Sequence, residues 1–287
     1  MKLEEFARIY FANHAVGIRE TTQQCYYLPA ARQFDRTMQT PIEAITKQTA
    51  NAFVDWLKST DSTPRTQYGR RSAFRTLWTA AHEAGLAPAV EPFRKIVVPK
   101  KSPIAWTMET VQKLVTNVKL DKRDWINGIE FGLWWSSLFS AAWDSALRLG
   151  DLMSVENDWI QRRDGCGFLR IVQSKTQREH YVQFNQSTMQ LINQSMAQCP
   201  KRRLIWPLRS NRRKFYNHMQ TILRKNGIQG SFKYFRRSAV TWAESQQAGQ
   251  GTKLANHRDS RTTRESYIDP QLMPDTLVIL PSLRQPT

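Results

Sequence analysis

Residues 131–143, FGLWWSSLFSAAW, lie between Glu130 and Asp144 without a single charge and are mostly apolar. Crossing a bilayer takes roughly 18 or more such residues, so this stretch is expected to be a buried helix, within a helical segment around residues 125–142. A chain of 287 residues, with 40% hydrophobic and 11% aromatic residues, has the material for two domains with sizeable cores. The first residues, MKLEEFARIYF, carry acids where a signal peptide needs a basic and then an apolar region. A cytoplasmic protein is the expectation. Cys25, Cys166 and Cys199 are odd in number and far apart, outside any metal-binding spacing, so they read as reduced thiols.

Charge narrows the partner. The chain has 42 Lys and Arg against 24 Asp and Glu, a net +18. Such an excess repels itself and favours a polyanion, either nucleic acid or an anionic membrane surface. Residues 1–100 carry 14 basic and 9 acidic side chains, +5, which leaves 28 and 15, +13, for the remainder. No carboxylate occurs anywhere in residues 180–243, and residues 201–240 hold twelve basic residues. Ordinary surfaces mix signs, so this region reads as phosphate-facing, with Arg202, Arg203, Arg212, Arg213, Lys214 and Arg237 as contacts. The interleaved aromatics, Trp206, Phe215, Tyr216, Phe232, Tyr234 and Phe235, are expected mainly in the core, with base stacking as the alternative.

The first hundred residues show helical periodicity and no strand pattern: residues 2–12, 19–36 and 43–58. The clearest helix begins at Thr63-Pro64, a cap followed by proline, and stops at Gly85. One face carries Phe74, Leu77, Trp78 and Ala81; another carries Arg71 and Arg75, with Arg70 and Gln67 nearby. That second face suits a phosphate backbone, or is simply a solvated arginine face. Residues 91–103, EPFRKIVVPKKSP, read as an inter-domain linker. Beyond it come helices around 108–118, 125–142 and from about Leu149. Strands follow at 159–162, 168–172 and 181–184, broken by the turn Asp164-Gly165-Cys166-Gly167, and then more helices to residue 267. The fold expected is mainly α with a small antiparallel sheet.

Glycine-rich phosphate loops, His-Glu-x-x-His and Gly-x-Ser-x-Gly are absent from the sequence. Clustered carboxylates for a two-metal nuclease are also missing from the basic half. DNA cleavage by such a chain would therefore use cations and a covalent nucleophile.

Four segments occur in order: Ala146-Leu147-Arg148-Leu149-Gly150-Asp151-Leu152; Gln173-Ser174-Lys175-Thr176 between two strands; Lys233-Tyr234-Phe235-Arg236-Arg237; and Leu254-Ala255-Asn256-His257, followed by Thr262-Thr263-Arg264-Glu265-Ser266-Tyr267. Together they resemble the tyrosine recombinase (phage integrase) family, over roughly residues 1–270. The resemblance implies a helical, SAM-like core DNA-binding domain (1–98), a linker (99–106), a mixed α/β catalytic domain (107–270) and a tail (271–287) exchanged between protomers. It implies a site-specific recombinase that cuts and rejoins duplex DNA at a core site through a 3′-phosphotyrosyl intermediate, without cofactor, metal or ATP, for integration or excision of a mobile element or for resolution. A homo-tetramer on DNA and a monomer without it are expected, with no membrane partner. Because nothing precedes residue 1, no arm-site domain is expected.

The chemistry accounts for the residue types. Attack on a phosphodiester builds negative charge on non-bridging oxygens, which preorganised cations stabilise. Arg148 and Arg236, with their fixed forks, are the expected phosphate clamp. Asp151 either orients Arg148 or is merely an acid at a helix start. Lys175 resembles the family's general acid, Lys233 occupies the usual histidine position and donates to phosphate, and His257 is expected to donate to a non-bridging oxygen. Tyr267 is the expected nucleophile; a free phenol ionises near about 10, so cations must favour the phenolate. Two departures stand out: Ala146 where glycine is usual, and Leu-Ala-Asn-His in place of Leu-Gly-His, giving ten residues from His257 to Tyr267 rather than nine. A non-catalytic DNA-binding protein on the same scaffold and a type IB topoisomerase-like activity are the competing readings.

Overall fold

The computed structural model describes residues 1–14, 17–126, 128–208 and 212–273, with the side chains of His14 and Arg212 outside the description. The expected tail segment falls largely outside these residues. The chain separates into two compact units, Met1–Lys101 and Ser102–Thr287.

The first unit is helical. Helix α1 spans Leu3–His14; α2, Glu20–Thr22, runs through a π-helical turn, Gln23–Tyr27, into α3, Leu28–Met38. Helices α4, Lys47–Ser59, and α5, Pro64–Glu83, start where Thr46 and Thr63 accept the backbone N–H of Thr49 and Thr66. Each cap satisfies an N–H that the helix itself leaves unpaired. Phe34, Phe53, Phe74 and Trp78 fill the core, with Phe34 and Phe74 stacked at 4.6 Å.

The proline-rich stretch, residues 91–103, contains the boundary between the two units. Phe93 and Ile96 are buried in the first core, while Ala105 and Trp106 are buried in the second unit. Burying side chains of this size stabilises by roughly 1.5–3 kcal/mol each, enough to hold the segment down at both ends.

In the second unit α7, Phe131–Ser145, is the central element, packed against α6 (Met108–Lys119), α9 (Gln186–Gln198), α11 (Lys233–Gln246) and strand β5 (Glu179–Phe184). Its uncharged run is enclosed as expected: Trp134, Trp135, Leu138 and Phe139 are fully buried. Its polar members are satisfied locally, Ser137 donating to the Trp134 carbonyl and accepting from the Trp206 indole. The helix begins later than expected. Trp125 lies in strand β1 (Asp124–Ile126), which pairs antiparallel with β2 (Ile129–Glu130) across a turn where Gly128 has φ +80°. Gly132 then lets α7 abut the end of α6: a Cβ there would fall 2.6 Å from the Lys119 carbonyl oxygen.

Strands β3 (Ile160–Arg163) and β4 (Cys166–Val172) join β5 in an antiparallel sheet of order β3-β4-β5. Alternation along β4 and β5 buries Leu169, Ile171, Val182 and Phe184 and leaves Arg170 and Tyr181 outside. Short helix α8 (Leu149–Leu152) precedes the sheet; α10 (Arg212–Lys225), α11, α12 (Gln250–Leu254) and α13 (Ser260–Ser266) follow it. Trp206, Phe215, Phe232 and Phe235 are core residues, whereas Tyr216 is exposed.

Candidate active site

Three loop-to-helix junctions build the site. At the end of α7 the chain turns through Ala146, whose φ is +47°, and enters α8 with Arg148 at its N-cap. At the start of α11, Lys233 and Arg236 sit three apart and so share a face. At the end of α13 stands Tyr267, its N–H donating to the Thr263 carbonyl and its own carbonyl accepting from the Thr241 hydroxyl. Arg148, Lys233, Arg236, Arg237 and Tyr267 line one cavity of about 430 Å³.

Arg236 is the centre of the arrangement. Only 5% exposed, it donates through Nη1 to the Ala146 carbonyl and through Nη2 to the Ala255 carbonyl at 2.9 Å. Its guanidinium carbon lies 5.1 Å from the centre of the Tyr267 ring. Burial and, less strongly, Arg148 lower its pKa, with the nearby Tyr267 oxygen working the other way. Both carbonyls that hold it belong to left-handed turns, at Ala146 itself and at Asn256, φ +52°, the residue after Ala255. The two sequence departures are thus the two turns that carry Arg236. Asn256 serves where Gly is usual because its short amide tolerates this conformation, and that amide donates to the Glu179 carbonyl at 2.8 Å.

His257 is not among the residues lining the cavity. Its Nε2 lies 3.0 Å from Arg236 Nη2 and its Nδ1 lies 2.8 Å from Thr263 Oγ1. Arg236 can only donate, so Nε2 accepts and Nδ1 carries the proton. Burial first, then the charges of Arg236 and Arg148, push the imidazole down to about 4. In this geometry the ring accepts from Arg236, and it packs on Tyr267 with ring centres 4.6 Å apart.

Asp151 faces two ways. It is 1% exposed; Oδ2 lies 3.9 Å from Arg148, while Oδ1 accepts from the backbone and hydroxyl of Ser174 at 2.9 and 2.7 Å. The acid therefore ties the β4–β5 turn to the Arg148 junction. Lys175 is exposed on that turn and is not among the residues lining the cavity. Gln173 and His180, to which the sequence reading gave no role, and Tyr216, read there as a core or stacking aromatic, complete the surroundings. Gln173 accepts from Arg148, buried His180 has its pKa lowered by burial and by Arg236, and Tyr216 of α10 lines the cavity. The first two sit at inward positions of the sheet and its turn, a burial signal that alternation offers but chemistry-led reading overlooks.

The basic residues divide. Arg71 is buried, donates to the carbonyls of Phe93 and Arg94 and stacks on Phe93 at 4.3 Å, so it braces the chain and does not face phosphate. Arg70 donates to the Tyr26 carbonyl at 3.2 Å, in the π-helical turn. Arg202 caps the end of α9 through Ser195, where burial pushes it down to about 10. Arg203 is paired with Glu156. Arg75, Arg213 and Lys214 are exposed, and Arg237 lies over the Tyr234 ring at 5.6 Å. Among the described residues no group of His, Cys, Asp and Glu is arranged to hold a metal ion, and no helix is long and apolar enough to cross a membrane.

Fold and site together are of the tyrosine recombinase type. The chain belongs to the phage integrase family, whose sequence pattern matches residues 109–272, more than half of its length. No curated protein matches it in sequence. Its fold is similar to that of the XerH site-specific recombinase in a post-cleavage complex with a palindromic difH substrate (TM-score 0.72, 12% identity, 94% of this chain and 92% of that one). It is also similar to a lambda integrase dimer bound to a COC′ core site (0.68, 16%, 90% and 94%). A third similar fold is the Tn1549 transposon integrase with circular intermediate DNA (0.66, 8%, 92% and 94%).

Proposed function

We propose that this protein is a site-specific DNA recombinase that cuts and rejoins duplex DNA through a covalent bond between Tyr267 and a 3′ phosphate. The observation carrying this reading is the convergence of Tyr267 with Arg148, Lys233 and Arg236 on one cavity. The Tyr267 phenolate attacks phosphorus, having lost its proton to solvent, and the bond from phosphorus to O5′ breaks. Lys175 gives O5′ its proton. The guanidinium groups of Arg148 and Arg236, with Lys233, meet the charge that builds on the non-bridging oxygens. A 5′ hydroxyl then attacks the adduct by the reverse steps, so the bond energy is kept without ATP and the chemistry needs no metal. Arg75 of the helical unit and Arg213, Lys214 and Arg237 of the second unit contact the phosphates of the duplex.

A nicked cognate site is expected to trap a covalent protein–DNA adduct. Tyr267→Phe abolishes the adduct, whereas Tyr216→Phe, which changes the other tyrosine of the cavity, keeps it. Arg148→Ala and Arg236→Ala bind DNA but lose cleavage by a factor of about 10² or more. Adduct at normal levels from Tyr267→Phe overturns the nucleophile.

The similar folds include a lambda integrase tetramer on a Holliday junction. We extend to this chain the reading of a DNA-bound tetramer joined by exchanged tails. Asp269 is buried and accepts from Ala105 N–H, so the useful truncation begins after Met273. Removal of residues 274–287 is expected to preserve DNA binding by single protomers and to abolish paired-site complexes in native gels. Unchanged pairing would refute the exchange.

A further inference from the structure

Gln173 is fully buried at the point where β4 passes into the turn that carries Lys175. Its Oε1 accepts from Arg148 Nη1 at 3.1 Å and from Thr176 Oγ1 at 3.1 Å. Both bonds fix the amide's orientation, since Arg148 offers only donors. The same residue closes the turn through its backbone. Its N–H donates to the Arg178 carbonyl at 2.9 Å, and its own carbonyl accepts from the N–H groups of Thr176 at 3.3 Å and Gln177 at 2.9 Å. On the far side of Lys175, Gln177 Nε2 donates to the Ser174 carbonyl at 2.8 Å, and Ser174 is the residue held by Asp151. Lys175 itself is exposed and stands between the two residues, Ser174 and Thr176, that these bonds pin down. The guanidinium of Arg148 and the backbone around Lys175 therefore share one acceptor oxygen.

We infer that Gln173 is a positioning residue that couples the Lys175 turn to Arg148, so that Lys175 is in place to protonate the leaving oxygen when the arginine is set on the phosphate. This rests on the proposed role of Lys175 as the general acid. The coupling is directional in its effect: losing the Gln173 oxygen removes the side-chain tie between Arg148 and Thr176 and loosens that side of the turn, whose backbone bonds remain, while Arg148 retains Asp151 at 3.9 Å as a charge partner. Loss of Gln173 should thus impair leaving-group protonation more than phosphate binding.

The test uses the full chain and two nicked substrates that differ in one atom, oxygen or sulfur at the 5′ bridging position. A thiolate leaves without needing a proton, so a defect confined to proton donation disappears on the sulfur substrate. Gln173→Met keeps length and loses the acceptor; Gln173→Glu keeps it. Thr176→Val changes an exposed residue and removes the second bond without threatening the fold. Gln173→Met is expected to cleave the oxygen substrate about 10- to 100-fold more slowly than the unsubstituted protein, with DNA affinity unchanged, and to match it on the sulfur substrate. Thr176→Val shows a smaller loss with the same rescue, and Gln173→Glu retains most activity. Arg148→Ala stays slow on both substrates. Lys175→Ala is the control for the underlying reading: if sulfur does not rescue it, Lys175 is not the acid. If sulfur rescues Lys175→Ala but neither Gln173→Met nor Thr176→Val, or if these two cleave oxygen normally, the coupling is wrong. Should Gln173→Met unfold, Thr176→Val alone decides.

Discussion

Ala146 and Asn256 hold left-handed backbone for one purpose, aiming two carbonyls at Arg236. Such a conformation costs an alanine roughly 1–2 kcal/mol, yet the Ala146 methyl is fully buried beside Ala239 and Val240 and offsets part of that cost. The departure from glycine is therefore tolerated by packing. His257 supplies a measurable consequence. Its folded value of about 4 lies below the about 6.5 of an unfolded histidine. Below that higher value the unfolded chain takes up a proton that the folded one refuses, so stability is complete above it and is lost as pH falls toward 4. Buried His180 is lowered too and adds in the same direction. Thermal midpoints are expected to be level between pH 7 and 8 and to decline between 6.5 and 4.5, with a shallower decline in His257→Gln. An identical decline in that variant would show that His257 titrates elsewhere.

At the level of elements, α5 shows what a helical pattern conveys and what it conceals. Thr63, Pro64 and Gly85 mark its limits in the sequence, and the stripe from Phe74 to Ala81 marks its buried side. The pattern also groups Arg71 with Arg75, but only packing shows that Arg71 points at Phe93, a residue that lacks any periodic partner. Substituting Arg71 with alanine removes two hydrogen bonds and a stacked ring and strands two carbonyls. A loss of about 2–3 kcal/mol in urea unfolding is expected, while Arg75→Ala leaves stability within about 0.5 kcal/mol and weakens DNA binding. Equal stability of the two variants would contradict the division of this helix into a bracing and an open face. The hairpin β1-β2 is illegible for a similar reason. Trp125 continues the apolar run of α7 in sequence, and only the turn at Gly128 separates them. The four segments of the site were legible through their resemblance to the tyrosine recombinase family, whereas the contacts of Gln173, His180 and His257 depend on which atoms meet after folding.

For the molecule as a whole, the cavity joins Tyr267 to Arg236 and Arg148 of the same chain. Each protomer should then cleave with its own nucleophile. Mixing Tyr267→Phe protein with Arg236→Ala protein is expected to yield no more adduct than either alone; restored cleavage would mean that a neighbour delivers the tyrosine. The charge of +18 is also redistributed by the structure, since Arg71, Arg202 and Arg236 are occupied by backbone carbonyls and Arg203 by Glu156. The bond from Ala105 N–H to Asp269 bears on how the unit carries load. Asp269 N–H donates in turn to the Thr241 hydroxyl, which donates to the Tyr267 carbonyl. Tension applied to the chain beyond Met273 meets this anchorage before it reaches the phenol, and passes into α11 and the segment where the chain enters the unit. Under the proposed tail exchange, a neighbour would pull on the far end while Tyr267 keeps its place.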